Sequence, residues 1–317
     1  MANSKNHSDQ AFKALMALFA FSIVGLTILF FYELTKGSFP IIREGLAFLY
    51  LSKWSGDAGN VFGVLPMLYG SVVTSAIALL IGVPVSLGVA VFLSELSPSS
   101  LRPPVGFLVE MLAAIPSVVY GLWGLFILAP LLRDSVYPTL FRYLGFLPIL
   151  GCPTHGTPCQ FYMQSILTAG VVLAIMIIPI VSSVSRDALL AVPDSQREAA
   201  YALGATKSEA IRMSVLSYAR SGIFASIFLG LGRAFGETIA VTMVVGNSPS
   251  ITGSLFSPGY TLASLIANEF TEATTAVHIS ALIEAGLVLL VVVFFTNIMA
   301  RLLISRFVRS RGAATYL

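Results

Sequence analysis

The chain has 317 residues, of which 56% are hydrophobic and 10% charged, and its mean hydropathy is +0.89. That composition excludes a water-soluble globular domain. The net charge of +3 is small and the basic residues are scattered among apolar segments, which argues against nucleic acid and names the lipid bilayer as the partner.

A transmembrane helix needs about 20 mostly apolar residues. Six windows qualify, at about residues 12–32, 66–93, 105–132, 162–183, 221–246 and 279–304. The first is too long for the apolar part of a secretory signal and has no small-residue cleavage site, so it reads as a retained span. Pro84, Pro116 and Pro179 fall inside later windows and are expected kink points, since membrane helices keep proline where neighbours re-satisfy the freed backbone groups. The expected fold is an all-α polytopic membrane protein. Residues 1–65 form a tail, first span and external loop, 66–305 a transmembrane domain, and 306–317 a basic tail.

Cytoplasmic segments carry the excess of Lys and Arg. With the N-terminus inside, the inner segments hold twelve basic residues, from Lys5 to Arg311, against Lys36, Arg43, Lys53, Arg133 and Arg142 outside. Six crossings return the C-terminus to the inside, where Arg306, Arg309 and Arg311 belong. This places the stretch from Cys152 to Cys159 outside, where an oxidising compartment favours a local disulfide. Free thiols stay open as an alternative, and a metal site with His155 lacks a fourth ligand.

Residues 184–220 then lie inside. Pro193 opens a helix that Asp194 or Ser195 can cap, and Gly204 suits a turn to a second helical stretch with Lys207, Glu209 and Arg212. Ala199, Ala200, Ala202 and Ala205 leave a surface onto which another protein can close; a plain surface hairpin is the alternative. After the fifth span, Leu262, Leu265, Ile266 and Phe270 recur at helical spacing and predict a short helix on the outer face.

Ionisable groups inside a span cost about 2.5–3.5 kcal/mol each on insertion scales and mark functional sites. Four fall there: Glu110, Arg233, Glu237 and Glu284. Arg233 and Glu237 stand four apart and share a helical face with Ser226, Gly230, Ala240 and Asn247, while Phe224, Phe228, Leu231, Phe235 and Ile239 take the far side. A guanidinium binds oxyanions in a forked geometry and stays charged at low dielectric. The stripe therefore reads either as an anion pathway or as a permanent ion pair that fixes packing. Glu110 and Glu284 are expected to bond neighbouring helices or line the pathway edge, and Gly232 and Gly236 to form a close-packing pair.

Glu198-Ala199-Ala200, three residues, then Gly204 resembles the EAA loop of ABC importer permeases, although Ser217 stands where that pattern carries Pro. Ile115 to Leu122, Ile178-Pro179-Ile180 leading to Ser185-Arg186-Asp187, and Gly232 to Thr238 resemble the phosphate-specific importer permeases of the PstC type. The resemblance implies a MetI-like core with an extra N-terminal helix, in the bacterial inner membrane. It also implies docking of ATPases through Arg197, Glu198, Ala199, Ala200, Leu203 and Gly204. The implied partners are a PstA-type second permease, a PstB-type ATPase dimer and a PstS-type binding protein, with inorganic phosphate as substrate. No Gly-Lys dipeptide occurs, so there is no Walker A loop and ATP is expected to be used by partners, with no cofactor on this chain. A proton-coupled carrier using Arg233 and Glu237 is the rival reading, and a membrane enzyme a weaker one for want of a recognisable catalytic set.

Overall fold

The computed structural model describes residues 2–43, 45, 47–55, 61–153 and 159–312. Six of its helices are long and apolar enough to cross a bilayer. The first is α1 (Ala2–Ile42), followed by a short α2 (Ala47–Tyr50) and a two-stranded ribbon in which β1 (Trp54–Ser55) pairs antiparallel with β2 (Val61–Phe62). Next come α3 (Leu65–Leu96), whose last turn from Phe92 is π-helical, α4 (Arg102–Ala114) and α5 (Ser117–Leu144). The central helix α6 (Ile166–Leu190) leads to the hairpin of α7 (Asp194–Ala202) and α8 (Lys207–Gly236). Short helices α9 (Ile239–Val244) and α10 (Leu262–Glu269) precede α11 (Ala276–Gly312).

The expected third span is two helices. Ile115 and Pro116 are extended (ψ 128° and 142°), so α4 stops and α5 restarts. A residue before proline avoids the helical region, and the Tyr120 hydroxyl donates to the Leu112 carbonyl at 2.8 Å, across the break. Pro84 and Pro179, in contrast, sit inside unbroken helices. There α3 and α6 lie against each other: a Cβ on Gly82 would come within 2.9 Å of Ile177, and the Ser86 hydroxyl donates to the Ile178 carbonyl at 3.3 Å. The carbonyl that Pro179 deprives of its donor is that of Ile175, four residues earlier, so the Ser86 bond ties α3 to α6 beside the proline and does not replace the bond it removes.

The two ends of the bundle are distinct. At one end Cys152 and Cys159 are joined by a disulfide, and the adjoining loop is tied to residues 254–255 by Ser254 to Gly151 (2.7 Å) and Leu255 to Ile149 (2.9 Å). At the other end stands the α7–α8 hairpin. A core of Val172, Leu173, Ile177, Val181, Val244 and Phe256 fills the middle and the disulfide end, and a smaller one of Ala90, Leu189, Val192 and Val215 lies under the hairpin. A third joins α11 and the ribbon through Phe48, Trp54, Phe62 and Leu282. Helix α10 is not laid on the surface as expected: Leu262 and Leu265 are fully buried, and the Leu262 N–H donates to Ser71 on α3 at 2.9 Å. His155 lies outside the described residues, as do 313–317 of the basic tail.

Candidate functional site

Helix α8 runs antiparallel to α6. Gly222 meets Ala188, the Ser226 and Ser185 hydroxyls meet at 2.7 Å, and a Cβ on Gly230 would stand 2.6 Å from Val181. Arg233, one turn further on, is therefore level with the middle of α6. There the helix ends. Glu237 takes an extended backbone (φ −71°, ψ 124°), its carboxylate accepts the Ala240 N–H at 3.4 Å, and α9 carries on to the disulfide end, where the Ser165 N–H donates to Val244 at 3.1 Å. Non-helical backbone at this depth is tolerated only where it is covered by protein or lines a cavity.

The break corrects the single stripe drawn from the sequence. A wheel holds only while the helix continues, and Gly236, a poor helix former by about 1 kcal/mol, is its last residue. Arg233 stands in the last turn of α8 and Glu237 just past its end, and no ion pair joins them among the described residues. Ser226 is buried against α6. Asn247 lies beyond α9 with φ +51°; its amide donates to the Thr242 carbonyl at 2.9 Å, while its buried Oδ1 has no partner among the described residues. Phe235 is buried and Ile239 exposed, so the far side assigned to them also fails. Gly232 and Gly236 meet nothing within 4 Å; the close-packing glycines of α8 are Gly222 and Gly230.

Arg233 belongs to an exposed line of Ala225, Leu229, Arg233 and Gly236. The segment from Ile115 to Leu122 meets α9, where Gly121 lies against Ala240 and Met243. Of the other two carboxylates, Glu110 on α4 accepts from Arg186 at 3.3 Å near the hairpin end of α6, whereas the buried Glu284 Oε2 on α11 has no hydrogen-bond partner among the described residues.

At the hairpin end, α7 begins at Pro193 without a side-chain cap; Asp194 pairs with Arg197 at 3.2 Å instead. Gly204 has φ +83°, the left-handed conformation that ends α7. Thr206 and Glu209 form a capping box for α8, and these bonds from Thr206 hold the Glu209 carboxyl below its ordinary pKa. A groove of about 700 Å3 opens between the two helices, lined by Ala199, Ala200, Leu203, Gly204, Met213 and Tyr218 among others, with Leu203 90% exposed. Glu198 is exposed. Where the EAA pattern has proline, Ser217 lies in unbroken helix. Arg197 does not join this surface. It turns inward to a bidentate pair with Glu95 at 2.7 and 3.3 Å, and hydrogen bonding to that carboxylate raises the guanidinium pKa.

Residues 82–309 match the family described as binding-protein-dependent transport system inner membrane component. The chain is 45% identical over 306 residues to the phosphate transport system permease protein PstC of Xylella fastidiosa strain Temecula1, covering 96% of this chain and 93% of that one. With the PstC protein of Haemophilus influenzae identity is 43%, covering 96% and 95%. The chain belongs to this family of transport permeases, alongside the PstC proteins. Its fold is also that of the methionine ABC transporter MetNI in inward-facing form (17% identity, TM-score 0.52, 77% of this chain and 94% of that one). A bacterial ABC transporter that imports alginate shares it too (19%, TM-score 0.51, 90% and 95%). These two likenesses establish the MetI-like permease architecture, with α1 as an additional helix.

Two functional candidates escaped the sequence reading. Glu95 ends an apolar run and reads as the inner flank of a span. Glu269 gathers the Trp54 indole N–H (2.6 Å) and His278 Nε2 (3.0 Å) from segments far apart in sequence.

Proposed function

We propose that this chain is the permease subunit of an ATP-driven importer that carries inorganic phosphate across the bacterial inner membrane by alternating access. Both termini lie in the cytoplasm, the disulfide end faces outward and residues 184–220 form the coupling loop. The observation that carries this reading is Arg233, a guanidinium at mid-bundle depth on an otherwise apolar and small-residue face. Such a group in hydrocarbon demands a protein cover and an anion to serve. A PstA-type permease supplies the cover as a heterodimer and completes the pathway, in which Arg233 and Glu237 meet substrate, with Ser226 and Asn247 on neighbouring surfaces.

Energy comes from a PstB-type ATPase dimer that seats on the groove at Ala199, Ala200, Leu203 and Gly204, with Glu198 at its edge. ATP binds and reacts there, this chain holds no cofactor and performs no catalysis, and a PstS-type binding protein delivers phosphate from outside. Phosphate near neutral pH keeps a proton that sulfate lacks, so Glu237 accepts a hydrogen bond from the one and repels the other.

The test is phosphate-stimulated ATP hydrolysis and uptake by the reconstituted complex, with sulfate and molybdate as controls. Uptake that persists without the ATPase, or with Arg233→Gln in an assembled complex, overturns the reading, and the first of these results favours a proton-coupled carrier.

A further inference from the structure

Arg197 was expected to face the ATPases, and the geometry gives it another task. Its guanidinium forks onto Glu95 at 2.7 and 3.3 Å, and donates to the carbonyls of Val192 at 2.6 Å and Leu189 at 3.1 Å. The two side chains are only 18% and 10% exposed. One arginine therefore fastens three elements: α7, the end of α6, and the π-helical last turn of α3 that carries Glu95. A forked pair resists rotation where a point contact does not.

The other end of α3 is fastened as firmly. A Cβ on Gly70 would run into the Tyr260 carbonyl, and Ser71 accepts the Leu262 N–H at 2.9 Å. The same loop reaches α9, because the Gly259 N–H donates to Val245 at 2.9 Å. A displacement of α7 thus has a continuous set of contacts along α3 to the loop that holds the far end of α9, the short helix that follows Glu237. With about 1.5 Å of rise per residue, α3 reaches from one end of the bundle to the other.

We propose that Glu95 and Arg197 are positioning residues for transport, forming the joint through which movement of the coupling hairpin drives α3 and, through it, the segment that closes the disulfide end of the pathway. The inference rests on the importer reading above. The pair touches neither substrate nor nucleotide; its contribution is to make the hairpin and α3 move as one body.

The experiment measures phosphate moved per ATP hydrolysed in proteoliposomes containing the whole complex, for wild type, Glu95→Gln, Arg197→Gln and the double variant. In Glu95→Gln hydrolysis persists while the ratio falls about tenfold, and the double variant falls no further than the worse single one, because both remove one joint. A ratio within about twofold of wild type in Glu95→Gln, or single losses that multiply in the double variant, overturns the proposal. Where Glu95→Gln does not assemble, Glu95→Asp, which keeps the charge and shortens the fork, is judged by the same ratio. A wild-type complex that moves no phosphate refutes the importer reading itself, a result visible before any substitution is made.

Discussion

Gly121 of α5 lies so close to α9 that a Cβ there would stand 3.1 Å from Ala240 Cα and 2.6 Å from Met243 Sδ. The two helices meet beside the break at Glu237, so their separation sets where Arg233 and Glu237 stand. Gly121→Ala pushes against backbone on one side and a flexible thioether on the other, at about 1–3 kcal/mol of overpacking. Reduced phosphate uptake with normal assembly is the expected result. Adding Met243→Ala removes the thioether and restores part of the rate; a Gly121→Ala complex with wild-type uptake would show that this approach is incidental.

Arg233 and Glu237 separate into different readouts. Arg233→Lys keeps the charge and loses the fork, so the apparent KM for phosphate rises. Charge-assisted hydrogen bonds are worth about 1.5–3 kcal/mol, roughly a 10- to 150-fold effect. Glu237→Gln keeps the shape and removes the repulsion toward a fully ionised oxyanion. Competition assays then show stronger inhibition of phosphate uptake by sulfate than in wild type. Equal sulfate inhibition in both proteins would remove Glu237 from selectivity.

How much of this was legible in the sequence depended on the range of the interaction. Six apolar runs gave the number of spans, because desolvation of a whole segment is a sum that a window captures. The helical wheel failed at Glu237, because it assumes continuity and the helix ends at Gly236. Pro116 broke its helix whereas Pro84 and Pro179 did not. A proline in an apolar run reads alike in all three windows, and no local pattern records which one ends its helix. Arg197 and Glu95 were separately visible as charged residues at membrane edges; only the fold brings a fork 102 residues apart in sequence into register. Gly204 was readable because a left-handed turn is a local demand.

That demand is also testable. At φ +83° any residue other than glycine costs about 1–2 kcal/mol, and nothing crowds the site, so strain is the whole effect. Gly204→Ala therefore tilts the hairpin without filling the groove. Leu203→Asp leaves the backbone alone and puts a charge on the most exposed apolar residue of the groove. Both variants weaken co-purification of the ATPase subunits, the second more strongly. Undiminished ATPase recovery with Leu203→Asp would place docking elsewhere.

Tyr260 provides a pH window. Burial is the main cause that pushes its hydroxyl from 10.0 up to about 12, with Glu269 and Glu272 adding to the rise and Asn268 opposing it. A raised folded pKa means that the neutral form is favoured in the fold, so its stabilisation is complete below 10 and is lost as pH rises toward 12. The structure around Leu262 and His278 loosens over that interval. Hydrogen exchange of α10 in wild type and Tyr260→Phe tests it: the variant, which has no group to ionise, shows the smaller increase between these pH values.

The disulfide offers a test of the proposed orientation. Cys152 and Cys159 are the chain's two cysteines, and they sit at the end opposite the coupling hairpin. With that end outside the cell membrane, a membrane-impermeant maleimide labels spheroplasts only after an impermeant reductant has opened the bond. A cysteine placed at Leu203 in a Cys152→Ser/Cys159→Ser background is labelled only after the membrane is permeabilised. The reverse pattern would invert the topology and with it the direction of transport. Removing the bond shortens no helix, yet it frees a loop tied to residues 254–255, on the segment that follows α9. A closed loop this short constrains the unfolded chain by somewhat less than about 3 kcal/mol. The double serine variant is accordingly expected to fold and assemble, and to melt at a lower temperature than wild type.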